Sequence, residues 1–192
     1  MQFELAENSV VPPSSFSYWV VPSKLLAGAY PGHRDATDHV ARVHALVDAG
    51  ARTFVNLMEA DETDGDRQPF RTYDDVARHR SAEVVMRRHA IVDLSIPTPA
   101  VMKAILDEID TSLNSGAPVY VHCWGGIGRT GTVIGCWLLR HALADADSVL
   151  DVLKQLRKQD QERGHRLSPE TDEQRTFIRQ WCERGNRALD EQ

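Results

Sequence analysis

The sequence predicts a single α/β domain with a central, largely parallel sheet flanked by helices. Two patterns predict it. Short apolar runs bounded by Pro, Gly or polar residues alternate with longer stretches whose apolar residues recur at helical spacing. A chain of 192 residues, 42% hydrophobic and 26% charged, also suits one globular core rather than a rod, a fibre or a disordered tail.

The elements follow in order. Residues 1–15, with Val11-Pro12-Pro13-Ser14-Ser15, read as an extended lead-in to a domain over 16–192. Tyr18 to Val21 and Leu25 to Gly28, interrupted by Pro22-Ser23, predict a strand pair. Asp35 to Ala49 predicts a helix with Val40, Val43, Leu46 and Val47 on its apolar positions and Gly50 at its end. Thr53 to Met58 is a buried strand, and Glu59 to Gln68 an acidic surface loop. A short helix is expected over Phe70 to Arg80, a strand over Val84 to Ile91 and a loop over Val92 to Pro97. Thr98 then caps a helix that has Pro99 at its first position and a stripe of Val101, Ile105, Leu106, Ile109 and Leu113. Pro118 to Val121 is a last strand. Helices follow over 130–143, 148–158 and from Ser168-Pro169 to Trp181.

Charge and cysteine usage exclude several classes of function. Twenty-two basic against 28 acidic side chains leave a net charge of −6, the wrong sign for broad nucleic-acid binding. Three cysteines, Cys123, Cys136 and Cys182, form neither a disulfide framework nor a CxxC pair, so no metal is expected and a reducing, cytoplasmic home is. Acids at Glu4 and Glu7 stand where a secretory signal would carry positive charge, and no apolar stretch has the length of a membrane span.

The chemistry concentrates in one segment, His122-Cys123-Trp124-Gly125-Gly126-Ile127-Gly128-Arg129-Thr130-Gly131, between a predicted strand and a predicted helix. Its glycines free the backbone to turn successive N–H groups toward one point. At a helix N-terminus such a nest binds a phosphate dianion. Cys123 stands at the strand end, where the same amides favour a thiolate over a thiol. Arg129 offers a planar fork for two phosphate oxygens. Nucleophile, oxyanion cradle and clamp from one short loop point to phosphoryl transfer through a cysteinyl-phosphate.

His-Cys, five residues and Arg-Thr-Gly resembles the signature of the cysteine-dependent protein tyrosine and dual-specificity phosphatase superfamily. The Trp-Gly-Gly-Ile-Gly spelling is most similar to the kinase-associated phosphatase branch and its small microbial relatives. The resemblance runs from Tyr18 to Trp181. It implies a cysteine-phosphatase type of α/β fold and hydrolysis of a phosphomonoester with no cofactor and no metal. Trp124, Gly125, Gly126, Ile127 and Gly128 would bind the phosphate. Asp93, in Ile91-Val92-Asp93-Leu94-Ser95-Ile96-Pro97, matches the general acid, with Asp61, Asp64 and Asp66 as competitors. No Trp-Pro pair precedes it, a departure from the larger tyrosine-specific enzymes.

The resemblance also implies supporting roles. His122 would orient the loop and help stabilise the thiolate, with a packed strand-end histidine as the equal alternative, and Thr130 would hydrogen-bond the sulfur as it leaves, with an ordinary helix N-terminal Thr as the alternative. Glu59 is a candidate to hold Arg129, although an ordinary loop carboxylate is the preferred reading. Gln174 matches a water-positioning glutamine, with a solvated helix face preferred. Cys136 and Cys182 read as core or surface thiols.

Gly126 to Gly131 also spells GxGxxG, but the segment holding Asp145 and Asp147, at the distance of a ribose-binding acid, is a helix connection and not a strand. A phosphate-recognition module without catalysis would lack the nucleophile, the arginine or the acid, and all three are present. Without Lys or His among residues 124–128, the expected substrate is a phosphoprotein, phosphotyrosine before phosphoserine or phosphothreonine. Phosphoinositides, inositol phosphates and other non-protein phosphoesters are the alternative. Neither nucleic acid nor membrane is an expected partner.

Overall fold

The computed structural model describes residues 2–7 and 9–183. Five strands, β1 (Ser17–Val21), β2 (Leu25–Gly28), β3 (Thr53–Asn56), β4 (Val85–Arg88) and β5 (Val119–His122), form one sheet in the order β1-β2-β5-β3-β4. Only the edge strand β1 is antiparallel. Among the described residues six α-helices flank it: α1 (Ala36–Asp48), α2 (Asp74–Arg80), α3 (Pro99–Asn114), α4 (Gly128–Arg140), α5 (Val149–Leu156) and α6 (Asp172–Arg179). The chain therefore has the α/β architecture with a largely parallel sheet that its patterning predicts. No helix among the described residues is long and apolar enough to cross a membrane.

β5 is central, buried at every position between β2 and β3. Its Tyr120 and His122 point one way: His122 packs on Tyr73, the residue before α2, and Tyr120 packs on Phe54 of β3. α1 packs with α2, and α4 packs with α3, α5 and α6. α3 is the clearest amphipathic element. Thr98 accepts from the Val101 amide at its start, and Met102, Ile105, Leu106, Ile109 and Leu113 turn inward. Each such side chain contributes about 1.5–3 kcal/mol by leaving water.

The register decides where a site can form. Gly28, His122, Asn56 and Arg88 stand on one rung at the carboxyl end of the four parallel strands. Three segments leave the sheet at that rung: Cys123 after β5, residues 57–62 after β3 and residues 89–97 after β4. Open α/β sheets gather their ligands at this edge.

Several boundaries differ from the sequence expectation for identifiable reasons. β3 stops at Asn56 because its side-chain oxygen accepts from the Met58 amide and turns the chain out of the ladder. β4 begins at Val85 and ends at Arg88. Beyond it the chain still follows its neighbour, with the His89 amide donating to the Asn56 carbonyl and the Ile91 amide to Leu57. α2 starts at Asp74 and not at Phe70, since the Phe70 ring is taken into a cluster with Tyr30 and Trp124. α4 starts at Gly128, two residues early. α6 starts at Asp172, where Thr171 and Gln174 form a reciprocal capping box, and not at Pro169. The lead-in lies against the body: Phe3 packs edge-on to Trp137, and the Ala6 amide donates to Val20. Residues 184–192 of the expected domain lie outside the described residues.

Candidate active site

The loop after β5 closes back onto the end of β2. Gly126 has φ +68°, and a Cβ there would stand 2.5 Å from the Gly28 carbonyl carbon. Only glycine allows both the left-handed turn and this approach. The Trp124 carbonyl accepts from the Tyr30 amide, and the Ile127 carbonyl accepts from the Ser168 hydroxyl at 2.7 Å. The loop is thus held from β2 on one side and from the segment before α6 on the other. It runs into α4, so its amides sit at a helix N-terminus.

Cys123, Trp124, Gly125, Ile127, Gly128 and Arg129 line a pocket of about 350 Å³ together with Asp93, Leu94, Arg163, Arg166 and Glu170. Such a volume suits a small phosphoester. Cys123 is almost fully buried, and the Thr130 hydroxyl lies 3.1 Å from its Sγ, in position to donate. Asp93 reaches the site from the loop after β4, with Oδ1 2.9 Å from the Arg129 Nη2. Asp64 and Asp66 are instead tied to Arg34, and neither they nor Asp61 line the pocket.

Arg129 is buried and fixed from several directions. Its Nη1 donates to Glu62 Oε1 and to the Ile91 carbonyl, and its Nη2 donates to Glu62 Oε2 at 3.0 Å. Burial works against the guanidinium charge, but Glu62, with Cys123 and Asp93 nearby, more than restores it. Its Nε is buried with no hydrogen-bond partner among the described residues. A buried donor of that kind is costly unless an anion takes it up.

His122 is held as a neutral ring. Its Nδ1 lies 3.3 Å from the Cys123 carbonyl, which can only accept, so Nδ1 carries the proton. Nε2 then accepts from the Tyr73 hydroxyl at 2.6 Å. Burial pushes the imidazole down from its ordinary 6.5 to about 3, and burial also raises the Tyr73 phenol well above its usual range. His122 therefore acts on the loop through hydrogen bonds and packing, not through positive charge.

Two expected neighbours are rearranged. Besides Asp93, the carboxylate that holds Arg129 is Glu62 and not Glu59. Glu59 contributes backbone, its amide donating to Glu62 Oε1 at 2.7 Å and its carbonyl accepting from Arg88. Gln174 is fully buried, which corrects the solvated reading of it. Its Oε1 accepts from the Glu170 and Thr171 amides, and its Nε2 donates to the Ser95 carbonyl at 3.0 Å on the loop that bears Asp93. It also lies across Gly128, where an added Cβ would come within 3.1 Å of its amide. Cys136 is buried in α4, its thiol pushed well up by burial, and Cys182 is exposed; both are free.

The family model described as "Polymorphic toxin system, DSP-PTPase phosphatase" matches residues 28–143, from the end of β2 through α4. The chain belongs to this DSP-PTPase family. Among curated relatives of this DSP-PTPase, dual specificity protein phosphatase CDC14C of Homo sapiens is 28% identical over 142 residues, 72% of this chain and 28% of the relative. Dual specificity protein phosphatase CDC14AB of Danio rerio is 32% identical over 123 residues, 64% of this chain and 19% of the relative. The chain thus spans less than a third of the length of these two relatives. A crystal structure of kinase associated phosphatase, with its catalytic-site cysteine changed to serine, superposes with a TM-score of 0.64 at 22% identity. It covers 80% of this chain and 83% of its own, which shows the shared fold.

Glu62, which holds Arg129, and the pocket-lining Arg163 and Arg166 are the residues at this site that the sequence did not single out. Glu62 lies within the acidic 59–68 stretch, where five carboxylates compete and none has a periodic or capping signal to single it out.

Proposed function

We propose that this DSP-PTPase hydrolyses phosphomonoesters through a cysteinyl-phosphate, on phosphoproteins with phosphotyrosine first and phosphoserine or phosphothreonine next. The observation that carries the proposal is the convergence in one pocket of Cys123 and Arg129, from the passage between β5 and α4, with Asp93, from the loop after β4, at the carboxyl edge of the sheet. The catalytic unit lies within 16–192.

In the first step the Cys123 thiolate attacks phosphorus, the P–O bond to the substrate breaks, and Asp93 gives its proton to the departing oxygen. The loop amides and Arg129 hold the non-bridging oxygens as charge shifts onto them. In the second step the Asp93 carboxylate takes a proton from water, the water oxygen attacks phosphorus, and the S–P bond breaks. The Thr130 hydroxyl, 3.1 Å from Sγ, stabilises the thiolate as it departs. None of these steps calls on a metal or a cofactor. Exposed Trp124 and Leu94 at the pocket mouth offer apolar surface to a phenyl ring, which favours phosphotyrosine. Free thiols suit a reducing, cytoplasmic compartment.

The test is turnover of para-nitrophenyl phosphate and of matched phosphotyrosine, phosphoserine and phosphothreonine peptides in excess chelator. Wild type should turn over the aryl phosphate and favour the phosphotyrosine peptide, and Cys123→Ser should be inactive. Activity abolished by chelator, or a serine variant close to wild type, overturns the proposal.

A further inference from the structure

Two arginines reach the catalytic pocket from the segment that also holds the phosphate loop through Ser168 and Ile127. Arg163 and Arg166 line it from the segment between α5 and α6. The backbone carrying them is fixed. Arg157, itself buried, donates Nη2 to the Arg163 carbonyl at 2.9 Å and Nη1 to the Arg166 carbonyl at 2.7 Å. Asp160 accepts from the Glu162 and Arg163 amides. Gly164 passes so close to the Arg157 carbonyl oxygen that a Cβ would stand 2.1 Å from it.

The side chains, by contrast, are available. Among the described residues half-buried Arg163 forms no ion pair, and exposed Arg166 pairs with Glu170, also exposed, at 3.1 Å. Such a surface pair exchanges partners at little cost. A chain with a net charge of −6 thus holds two cations in the lining of its pocket, one of them without an ion pair among the described residues. The phosphate that meets Cys123 already has Arg129 and the loop amides.

Resting on the phosphatase reading above, we propose that Arg163 and Arg166 form a second anion subsite that selects phosphopeptides with an acidic side chain flanking the phosphorylated residue. The remaining lining favours a peptide over a polyphosphorylated ring. Leu94 and Trp124 are apolar and Asp93 and Glu170 are acidic, so a ring charged on every side would press phosphates against them. A phosphotyrosyl peptide sets its ring on the apolar surface and only its flanking carboxylate on the arginines.

The experiment compares three otherwise identical phosphotyrosine peptides with glutamate, alanine or lysine flanks, with para-nitrophenyl phosphate and inositol hexakisphosphate run in parallel. Wild type, Arg163→Ala/Arg166→Ala and Arg163→Glu/Arg166→Glu are each assayed, and the readout is the ratio of kcat/KM between peptides within one enzyme. Wild type should favour the glutamate peptide over the alanine peptide about five- to tenfold, less at high salt. The alanine pair should bring that ratio near one, and the glutamate pair should turn the preference toward lysine. A wild type indifferent to the flanks, or a preference that survives both double variants, overturns the subsite. Inositol hexakisphosphate turned over faster than the glutamate peptide overturns the peptide assignment. Absence of aryl phosphate turnover by wild type overturns the phosphatase reading itself, so the two failures are distinct.

Discussion

Glu62 grips the buried guanidinium of Arg129 with both carboxylate oxygens, and in doing so fixes the direction in which Nε points. The clamp comes from the loop after β3 and the arginine from the start of α4, so each depends on the sheet to meet the other. Removing the carboxylate leaves a buried cation with a wrongly aimed fork. Glu62→Ala should lower kcat/KM for aryl phosphate about 10²-fold, the scale of a displacement near 1 Å at a reacting centre. Glu62→Gln, which keeps one acceptor, should fall between. Steady-state kinetics on the two variants, with circular dichroism to establish folding, checks this; equal, few-fold losses would contradict it.

As the proposed acid, Asp93 should contribute according to the leaving group. A poor leaving oxygen needs a proton and an activated one does not, so Asp93→Asn should slow phosphotyrosine hydrolysis about 10²–10⁴-fold while sparing an electron-poor aryl phosphate. It should also remove the alkaline limb of the pH–rate profile. Asparagine variants of Asp61, Asp64 and Asp66 serve as controls, and Asp64 and Asp66 are already engaged by Arg34. A leaving-group dependence in Asp93→Asn equal to that of wild type would place the acid elsewhere.

Much of this site was legible in the chain because it is contiguous. Residues 122–131, read as nucleophile, cradle and clamp, form one strand–loop–helix passage, and the hydrophobic periods on either side place that passage between β5 and α4. Asp93, singled out by its match to the family's acid in a proline-bounded loop after a strand, stands in the pocket beside Arg129. What was hidden depends on tertiary approach. Glu62 and Glu59 differ by three positions in an irregular loop, and only the path of that loop selects one. Gln174 reads as surface in a polar helix start, yet its amide closes the helix cap and reaches Ser95. Arg163 and Arg166 show no pattern at all until Arg157 turns their backbone toward the pocket.

His122 makes stability depend on pH. Its folded pKa of about 3 lies below the ordinary 6.5, so between those values the unfolded chain binds a proton that the folded chain refuses. Stability is therefore full above 6.5 and is lost as pH falls toward 3. His39 and His89, both lowered by burial, act in the same direction. At about pH 5.5 the His122 share is about 1 kcal/mol. Urea denaturation at about pH 7.5 and 5.5 should show a smaller loss for His122→Gln than for wild type; identical losses would contradict the buried, neutral ring.

The central claim is that Cys123 carries the phosphoryl group between the two chemical steps. The direct measurement is rapid mixing of wild-type protein with phosphotyrosine peptide, an acid quench, and mass spectrometry of the peptide containing Cys123. The account predicts a transient gain of one phosphoryl group on Cys123, formed no slower than turnover and missing in Cys123→Ser. Phosphate released at the full rate with Cys123 never modified, or the phosphoryl group found on another residue, would contradict it.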